Sequence, residues 1–178
     1  MRRRRFLNFL LRAGAFLPFS FLRARDLVAA AGTPAVQLPL TQLEQPWSFV
    51  EFEFTKRIKS HRGLVPSTFP GYVMRIPDAI GAQLGLKNNL YAISRICPHE
   101  GCPMKLYKDR SEAPFPLEVE EFSNPMLLCP CHRSLFDPAQ GGKVISGPAP
   151  RPPWTFDFVV QKGRVIIKDL EPGGEKWG

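Results

Sequence analysis

Two short loops use all four cysteines and two of the three histidines in this chain of 178 residues. The first loop covers residues 97–102 with the sequence CPHEGC, and the second covers residues 129–134 with the sequence CPCHRS. Their patterns are C-x-H and C-x-x-H, each with one additional cysteine. Cysteine and histidine at such spacings indicate a metal centre. The fold is therefore expected to bring the two loops together.

Two thiolates and two imidazoles form a complete ligand set for a [2Fe–2S] centre that has histidines on one iron. We assign the four ligands as Cys97, His99, Cys129 and His132. The two remaining cysteines, Cys102 and Cys131, can then close a disulfide between the loops. A zinc knuckle is the main alternative, but it gives these two cysteines no role. Two structural disulfides would instead leave both histidines unexplained.

In these two loops the chain resembles the Rieske iron–sulfur proteins, and its additional cysteine pair resembles the disulfide-bearing branch found in cytochrome bc-type complexes. The resemblance covers roughly residues 88–170. It implies a [2Fe–2S] cofactor on the four assigned ligands and a disulfide that locks the loops at an exposed tip. Residues 147–150, with the sequence GPAP, resemble the proline-rich third loop that covers the cluster in this family.

Residues beside the ligands are expected to tune the centre. The resemblance implies that Ser134 donates a hydrogen bond to a bridging sulfide. Phe136 stands where many bc-type members have a tyrosine whose hydroxyl bonds a ligand sulfur. Because hydrogen bonds stabilise the reduced, more negative cluster, the phenylalanine predicts a lower reduction potential. Glu100 and Arg133 depart from the leucine and glycine that are common at these positions in the bc-type family.

The net charge of +8 is concentrated at the N-terminus. Residues 1–31 contain seven arginines and one aspartate, whereas the remainder has 17 basic and 15 acidic residues. A nucleic-acid-binding domain needs clustered Lys and Arg on its folded part, and no strong cluster is visible there. Nucleic acid is therefore not an expected partner.

Residues 1–31 are predicted to be a twin-arginine export signal or a membrane anchor. The sequence RRRFL at residues 3–7 resembles the motif that sends folded, cofactor-loaded bacterial proteins across the inner membrane. Residues 13–22 are uncharged but shorter than the about 20 residues that a spanning helix needs. A basic amphipathic helix on a membrane surface is the alternative. The expected location is the periplasm or the outer face of the cytoplasmic membrane.

The composition of the chain predicts an all-β fold, because its 19 prolines and 14 glycines favour short strands and many turns. Alternation and turn signals predict strands at 48–54, 72–76, 90–96, 154–161 and 165–168, a short helix at 78–86 and an irregular linker at 32–46. Together with the resemblance, this implies a Rieske-type antiparallel β-sandwich base over residues 47–178. A small cluster-binding subdomain is expected to be inserted at about 95–153.

Two polar segments have simpler interpretations. Residues 103–128 combine charges with prolines and are expected to form a solvated loop, with partner docking as the alternative. His61, the third histidine, lies in the basic run 56–62. No cysteine or carboxylate is close to it in sequence, so we interpret this run as a solvated turn and give His61 no role.

The resemblance implies a one-electron carrier that accepts an electron from quinol and passes it to a c-type cytochrome. Its partners would be the cytochrome b-type and c-type subunits of a bc-type complex. His99 and His132 would be the catalytic residues, since one nitrogen of each ring binds iron and the other can meet quinol. Residues 32–46 would be the hinge. The alternatives are the small subunit of arsenite oxidase, whose partner is a molybdopterin subunit, and a free-standing periplasmic carrier.

Overall fold

The structure is a computed structural model that describes residues 35–117 and 119–177. The described residues form three antiparallel sheets and one short helix, which confirms the all-β prediction. The elements are β1 (Gln37–Pro39), β2 (Phe49–Ser60), β3 (Gly63–Arg75), α1 (Asp78–Gln83), β4 (Leu90–Ser94), β5 (Lys105–Tyr107), β6 (Met126–Leu128), β7 (Leu135–Asp137), β8 (Lys143–Ser146), β9 (Phe156–Gln161) and β10 (Arg164–Leu170). Strand order is β1-β10-β9 in the base sheet, β2-β3-β4 in the middle sheet and β5-β6-β7-β8 in the distal sheet.

The middle sheet is buried on both faces, because its side chains alternate between two hydrophobic cores. In β3, Val73 packs into the core shared with the base sheet, whereas Tyr72 and Met74 pack into the core shared with the distal sheet. All five residues of β4 are buried. Successive side chains of a strand point to opposite faces, so an apolar run such as β4 suits a central layer. The antiparallel pairing of Val73 with Ala92 keeps matching faces together.

The distal sheet is inserted in the chain between β4 and β9. Its Leu127 and Phe136 pack into the core shared with the middle sheet, while Leu128 and Leu135 pack on the opposite side. That opposite side is covered by the half-buried apolar residues of segment 108–125, which we call the covering segment. The first cysteine–histidine loop follows β4 and the second connects β6 to β7. Both loops therefore belong to the part of the chain that is inserted between β4 and β9.

Residues 37–43 are part of the base, which corrects the prediction of an irregular linker at 32–46. β1 pairs antiparallel with β10, and the 3₁₀ turn after β1 buries Leu43 completely. A strand of three residues is too short to show an alternating pattern, so its pairing could not be foreseen. Val36 is also tied to the base, since its carbonyl accepts a hydrogen bond from the Ile167 N–H, and residues 32–34 lie outside the described part of the chain.

β2 and β3 are longer than predicted and form a hairpin that extends beyond the middle sheet. They pair from Phe49 with Met74 to Ser60 with Gly63, but β4 pairs with β3 only over residues 71–75. We call the extending residues, 55–68, the arm. The prediction of a solvated turn at 56–62 is wrong for most of that run, which is strand. Only residues 61–62 form the exposed turn.

Some predictions lie outside the described residues. One of these is the predicted export signal or membrane anchor at residues 1–31. Across residues 35–117 and 119–177, no helix has both the length and the apolar character needed to cross a membrane.

Candidate metal centre

The first loop is held by its own backbone. The Cys97 N–H donates to the Cys102 carbonyl and the Gly101 N–H donates to the Cys97 carbonyl, both at 2.9 Å. Gly101 has a φ of 73°, a left-handed conformation that glycine adopts without strain. The backbone N–H groups of His99 and Glu100 donate to the Cys97 sulfur. The loop thus surrounds one thiol with backbone donors.

The second loop depends on support from outside. The Cys129 N–H donates to the Ser134 carbonyl at 2.9 Å and closes the loop where β6 ends. Arg133 has a φ of 60°, which is uncommon for a residue with a side chain. Its guanidinium lies over the ring of Phe115, with the guanidinium carbon 5.0 Å from the ring centroid. The covering segment therefore supports the strained position of this loop.

The four predicted ligands are two buried thiols and two imidazoles. Cys97 and Cys129 have free thiols and are 1% and 0% exposed. His99 and His132 direct their Nδ1 atoms at each other across 3.3 Å, with the rings nearly perpendicular at 86°. Burial raises the pKa of the Cys97 thiol to about 11, although the N–H donors of its loop lower it. A cation that replaces the proton would favour the thiolate in this position.

Glu100 adds a carboxylate beside the imidazoles. Its Oε2 atom lies 3.8 Å from Nε2 of His132, and one ligand atom from each of His99, Glu100 and His132 fits within 4.8 Å of the others. The side chain of Glu100 is 61% exposed and that of His132 is 44% exposed. The imidazole side of the centre is thus polar and open to solvent.

Cys102 and Cys131 form a disulfide that joins the two loops, which confirms the predicted pairing. The two bonded sulfurs lie within 4.8 Å of the Cys129 sulfur. A disulfide sulfur has no thiolate to offer a metal, so only the Cys129 sulfur of these three is a candidate ligand. The bond crosses a sequence separation of 29 residues and restricts the unfolded chain accordingly.

Ser134 is buried against the third loop. Its Oγ accepts a hydrogen bond from the Ala149 N–H at 3.1 Å, while its own hydroxyl proton has no acceptor among the described residues. Gly147 approaches so closely that a Cβ there would lie 2.5 Å from the Ser134 Cα. Only glycine fits this contact, and it does so at a φ of 86°. The GPAP segment therefore lies directly against the second loop.

The prediction of a solvated loop at residues 103–128 is wrong. β5 and β6 begin and end this region, and the covering segment between them packs on the distal sheet. Half-buried and exposed residues alternate there, with Phe115, Leu117 and Val119 on the buried side. This period of two was the signal that could have revealed the packing. Charges and prolines in the same stretch obscure it.

Polar contacts hold the covering segment in position. Arg110 donates from Nε to the Val119 carbonyl at 3.1 Å and from Nη2 to the Leu117 carbonyl at 3.4 Å. Near β6, Asn124 donates to the buried carboxylate of Asp137 at 2.8 Å. A cavity of about 190 Å³ separates this segment from the second and third loops. It is lined by Pro116, Leu117, His132, Arg133, Ser146 and Gly147.

Phe136 is a core residue and His61 is a surface residue. Phe136 lies in β7 with none of its surface exposed, in the core between the distal and middle sheets. His61 lies in the exposed turn of the arm and is not part of the cysteine–histidine group.

Comparisons with known proteins match the region that contains both loops. A sequence model of the Rieske [2Fe-2S] domain matches residues 72–166. The cytochrome bc1 complex Rieske iron-sulfur subunit of Corynebacterium efficiens is 36% identical over 103 residues, which are 56% of this chain and 22% of the relative. The subunit of the same name from Streptomyces lividans is 38% identical over 76 residues, which are 41% of this chain and 37% of the relative. The chain thus spans well under half the length of these relatives.

Among solved structures, the soluble domain of Rieske protein II from Sulfolobus acidocaldarius aligns with 79% of this chain and 80% of that one. The sequence identity is 18% and the TM-score is 0.43, a distant likeness. The family match is more informative, since it spans over half of the chain and includes both cysteine–histidine loops and the GPAP segment. The chain belongs to the Rieske [2Fe-2S] domain family.

Proposed function

We propose that the chain holds its [2Fe–2S] cluster on Cys97, His99, Cys129 and His132 and uses it for one-electron transfer. The observations that support this most are the contact between the two buried free thiols, Cys97 and Cys129, and the two imidazoles of the same loops, whose Nδ1 atoms face each other. The donor set fits the cluster, since thiolates suit one iron and neutral imidazoles the other. When bound, such a cluster takes up and releases one electron at a potential raised by its histidines.

The chain's own residues orient and shield this centre. The disulfide keeps the two loops in contact, and the backbone donors around Cys97 favour negative charge on its sulfur. Ser134 offers its hydroxyl proton from a buried position. Nε2 of His132 lies on the exposed side, beside Glu100, and is the atom that would hold or release a proton.

The proposed physiological role is that of the iron–sulfur subunit of a cytochrome bc-type complex. The names of the curated relatives support this role. The chain would accept an electron from quinol and pass it to a c-type cytochrome, with cytochrome b-type and c-type subunits as partners. His99 and His132 would be catalytic because their outer ring nitrogens would meet the quinol. Residues 1–31 would export or anchor the chain at the periplasmic face of the cytoplasmic membrane.

A molybdopterin-containing partner, as in arsenite oxidase, is the second candidate. The observation that favours it is Glu100, an exposed carboxylate beside His132. Moving a carboxylate into an apolar quinol pocket is costly unless the partner supplies a cation or a hydrogen-bond donor. The GPAP segment favours the bc-type role, since the resemblance associates that loop with the bc-type branch.

Anaerobic reconstitution with iron and sulfide tests the cluster. We expect coloured protein with a low-temperature paramagnetic signal on reduction, and a reduction potential that falls as the pH rises into the alkaline range. The double replacement Cys97→Ser/Cys129→Ser should abolish the signal. Its matched control, Cys102→Ser/Cys131→Ser, removes the same number of sulfurs but no ligand, so the part of it that folds should give the signal despite its lower stability. Colourless protein, or protein that holds zinc without a paramagnetic signal, would contradict the proposal.

The partner is tested by purifying the full chain from the membrane fraction under mild conditions. Copurifying cytochrome b supports the bc-type role, and a copurifying molybdopterin subunit supports the second candidate. If the chain purifies alone with its cluster intact, it is a free-standing carrier.

A further inference from the structure

The arm is basic and contains no acidic residue. The sequence from Thr55 to Pro77 has no aspartate or glutamate. The arm holds four cations, Lys56, Arg57, Lys59 and Arg62. No longer stretch of the folded part is free of acidic residues. The arm is therefore a candidate surface for an anionic partner.

Tertiary contacts neutralise only one of these cations. Lys56 forms ion pairs with Asp169 at 2.6 Å and with Glu175 at 3.1 Å. Among the described residues, no carboxylate pairs with Arg57, Lys59 or Arg62. A folded domain usually surrounds its cations with acidic groups of opposite sign. Three cations on one hairpin without such neighbours leave a local positive potential.

Arg57 and Lys59 share the outer side of the arm with exposed apolar residues, and Arg62 lies in the exposed turn at its end. Arg57 is paired across the hairpin with Pro66, and Lys59 with Leu64. Directly paired residues lie on the same face, so this face alternates charged and apolar groups. Leu64 is 60% exposed, the highest exposure of any large hydrophobic residue described. The face thus presents cations around an apolar side chain.

A shallow cavity of about 430 Å³ lies between the arm and the C-terminal 3₁₀ turn. It is lined by Lys56, Arg57, Ile58, Lys59, Glu175 and Lys176. Glu175 is occupied by its ion pair with Lys56, which leaves the cavity with an excess of positive charge. Its chemistry suits a phosphate group.

We propose that the arm binds the headgroups of an anionic phospholipid surface, with the phosphates near Lys59 and Arg62 and Leu64 inserted at the headgroup level. Cations surrounding an exposed leucine match both contributions to interfacial binding, namely electrostatic attraction and burial of apolar surface. The basic and apolar residues 1–31 are a predicted second membrane contact, and two such contacts together give stable attachment. The proposal is independent of the cluster and its ligands.

A protein partner fits the arm less well. A specific protein interface buries about 800 Å² on each side, which is large for one face of a narrow hairpin. Strand addition to the free edge of β3 is also disfavoured, because Pro66 and Pro70 lack the N–H groups that such pairing uses.

Vesicle cosedimentation of the full chain tests the proposal. The vesicles contain phosphatidylcholine alone or phosphatidylcholine with phosphatidylglycerol. The variant is Lys59→Glu/Arg62→Glu, and the control is Lys162→Glu/Arg164→Glu, which makes the same change in net charge at the β9–β10 hairpin. Residues 1–31 contribute equally in all three proteins. Each basic residue near an anionic surface contributes roughly fivefold to partitioning, so the arm variant should lose at least about 25-fold. Circular dichroism confirms that each variant is folded, and Lys59→Gln/Arg62→Gln replaces the arm variant if it is not.

Each outcome is decisive. A loss on anionic vesicles that is confined to the arm variant, with a smaller loss for Leu64→Ala, supports the proposal. Equal losses in the arm variant and the control would show a general effect of net charge and overturn it. Unchanged binding of the arm variant would also overturn it. If immobilised polyglutamate retains the wild type through Lys59 and Arg62 while vesicle binding does not depend on them, the arm serves an acidic protein and the lipid proposal is wrong.

Discussion

Both cysteine–histidine loops contain a residue with a positive φ, but this residue is Gly101 in the first loop and Arg133 in the second. Apart from the disulfide to the second loop, the first loop is held by hydrogen bonds between its own backbone groups. The second loop has the covering segment on one side, through Phe115, and the GPAP segment on another, through Gly147. One loop is therefore self-contained, and the other depends on two additional pieces of chain.

This difference gives the covering segment a supporting role at the second loop. A left-handed conformation costs a residue with a side chain about 1–2 kcal/mol, and Arg133 bears that cost. A cation over an aromatic ring stabilises by roughly 0.5–1 kcal/mol at an exposed site, so the contact with Phe115 offsets part of the strain. The apolar packing of the covering segment on β6 and β7 keeps that ring in position. The second loop and the covering segment thus form one structural unit.

The largest effect is expected from removing the link between the loops. The double replacement Cys102→Ser/Cys131→Ser should lower the free energy of unfolding by roughly 3–4 kcal/mol, because the closed loop of 29 residues no longer restricts the unfolded chain. Guanidinium chloride unfolding with and without the disulfide measures this. Wild type treated with a reductant is the control and should match the variant. A loss below about 1 kcal/mol would mean that the loops hold each other without the bond.

The next largest effect is expected from substitutions of the two residues with a left-handed conformation, Gly101 and Arg133. Gly101→Ala should destabilise the protein by about 1–2 kcal/mol, because alanine in that conformation is strained and the first loop offers no compensating contact. Arg133→Gly should be close to neutral, since relief of strain offsets the lost contact with Phe115. Thermal and chemical unfolding of the two variants give the comparison directly.

The double-mutant cycle of Arg133→Ala with Phe115→Leu isolates the supporting contact. We expect a coupling of roughly 0.5–1 kcal/mol. If Arg133→Gly destabilises the protein as much as Gly101→Ala does, or if the coupling is zero, the contact with Phe115 does not compensate for strain at Arg133.

Phe136, in the strand that follows the second loop, offers the centre no hydrogen-bond donor. Phe136→Tyr should raise the reduction potential, because a phenol hydroxyl near a ligand sulfur stabilises the reduced cluster. One hydrogen bond is worth about 1 kcal/mol, which for a one-electron couple is roughly 40 mV. A redox titration followed by the paramagnetic signal measures the shift. Phe136→Leu is the control and should leave the potential nearly unchanged; an equal shift in both variants would indicate a packing effect instead.

Sequence patterns predicted the parts of the molecule that have local signatures. The two loops stand out by cysteine and histidine spacing, and the strands near β4, β9 and β10 by apolar runs or alternation. The disulfide followed once four ligands had been assigned, and the structure confirms it. The ligand assignment itself stays a prediction until iron is bound.

The missed features depend on contacts that are distant in sequence. β1 is a strand because it pairs with the edge of β10. Its three residues are too few to show an alternating pattern. The basic run in the arm resembles a turn in composition, yet pairing across the hairpin makes it strand. The left-handed conformation of Arg133 could not be read from the chain, since arginine seldom adopts it. The ring of Phe115 that compensates for it lies in a different segment.

The smallest effect concerns the GPAP side of the second loop, which an ion pair ties to the base. Arg151 donates to Glu171 at 2.7 Å, and the Thr155 N–H donates to the other carboxylate oxygen at 3.0 Å. Partial burial alone would raise the pKa of Glu171, but these hydrogen bonds outweigh it and lower the pKa below its usual value. The stabilisation is therefore present above the unfolded pKa and is lost as the pH falls through the lower folded value.

Glu171→Gln should thus reduce stability at neutral pH by less than about 1 kcal/mol, because both side chains are about one third exposed. The difference between wild type and variant should shrink as the pH falls from about 6 to about 3. Unfolding curves across this pH range show whether the stability difference shrinks or grows as the pH falls. The paramagnetic spectrum of the cluster tests the location, because the GPAP segment contacts Ser134 of the second loop. A change in stability without any spectral change would mean that the ion pair secures only the base, and that the second loop keeps its shape through the covering segment alone.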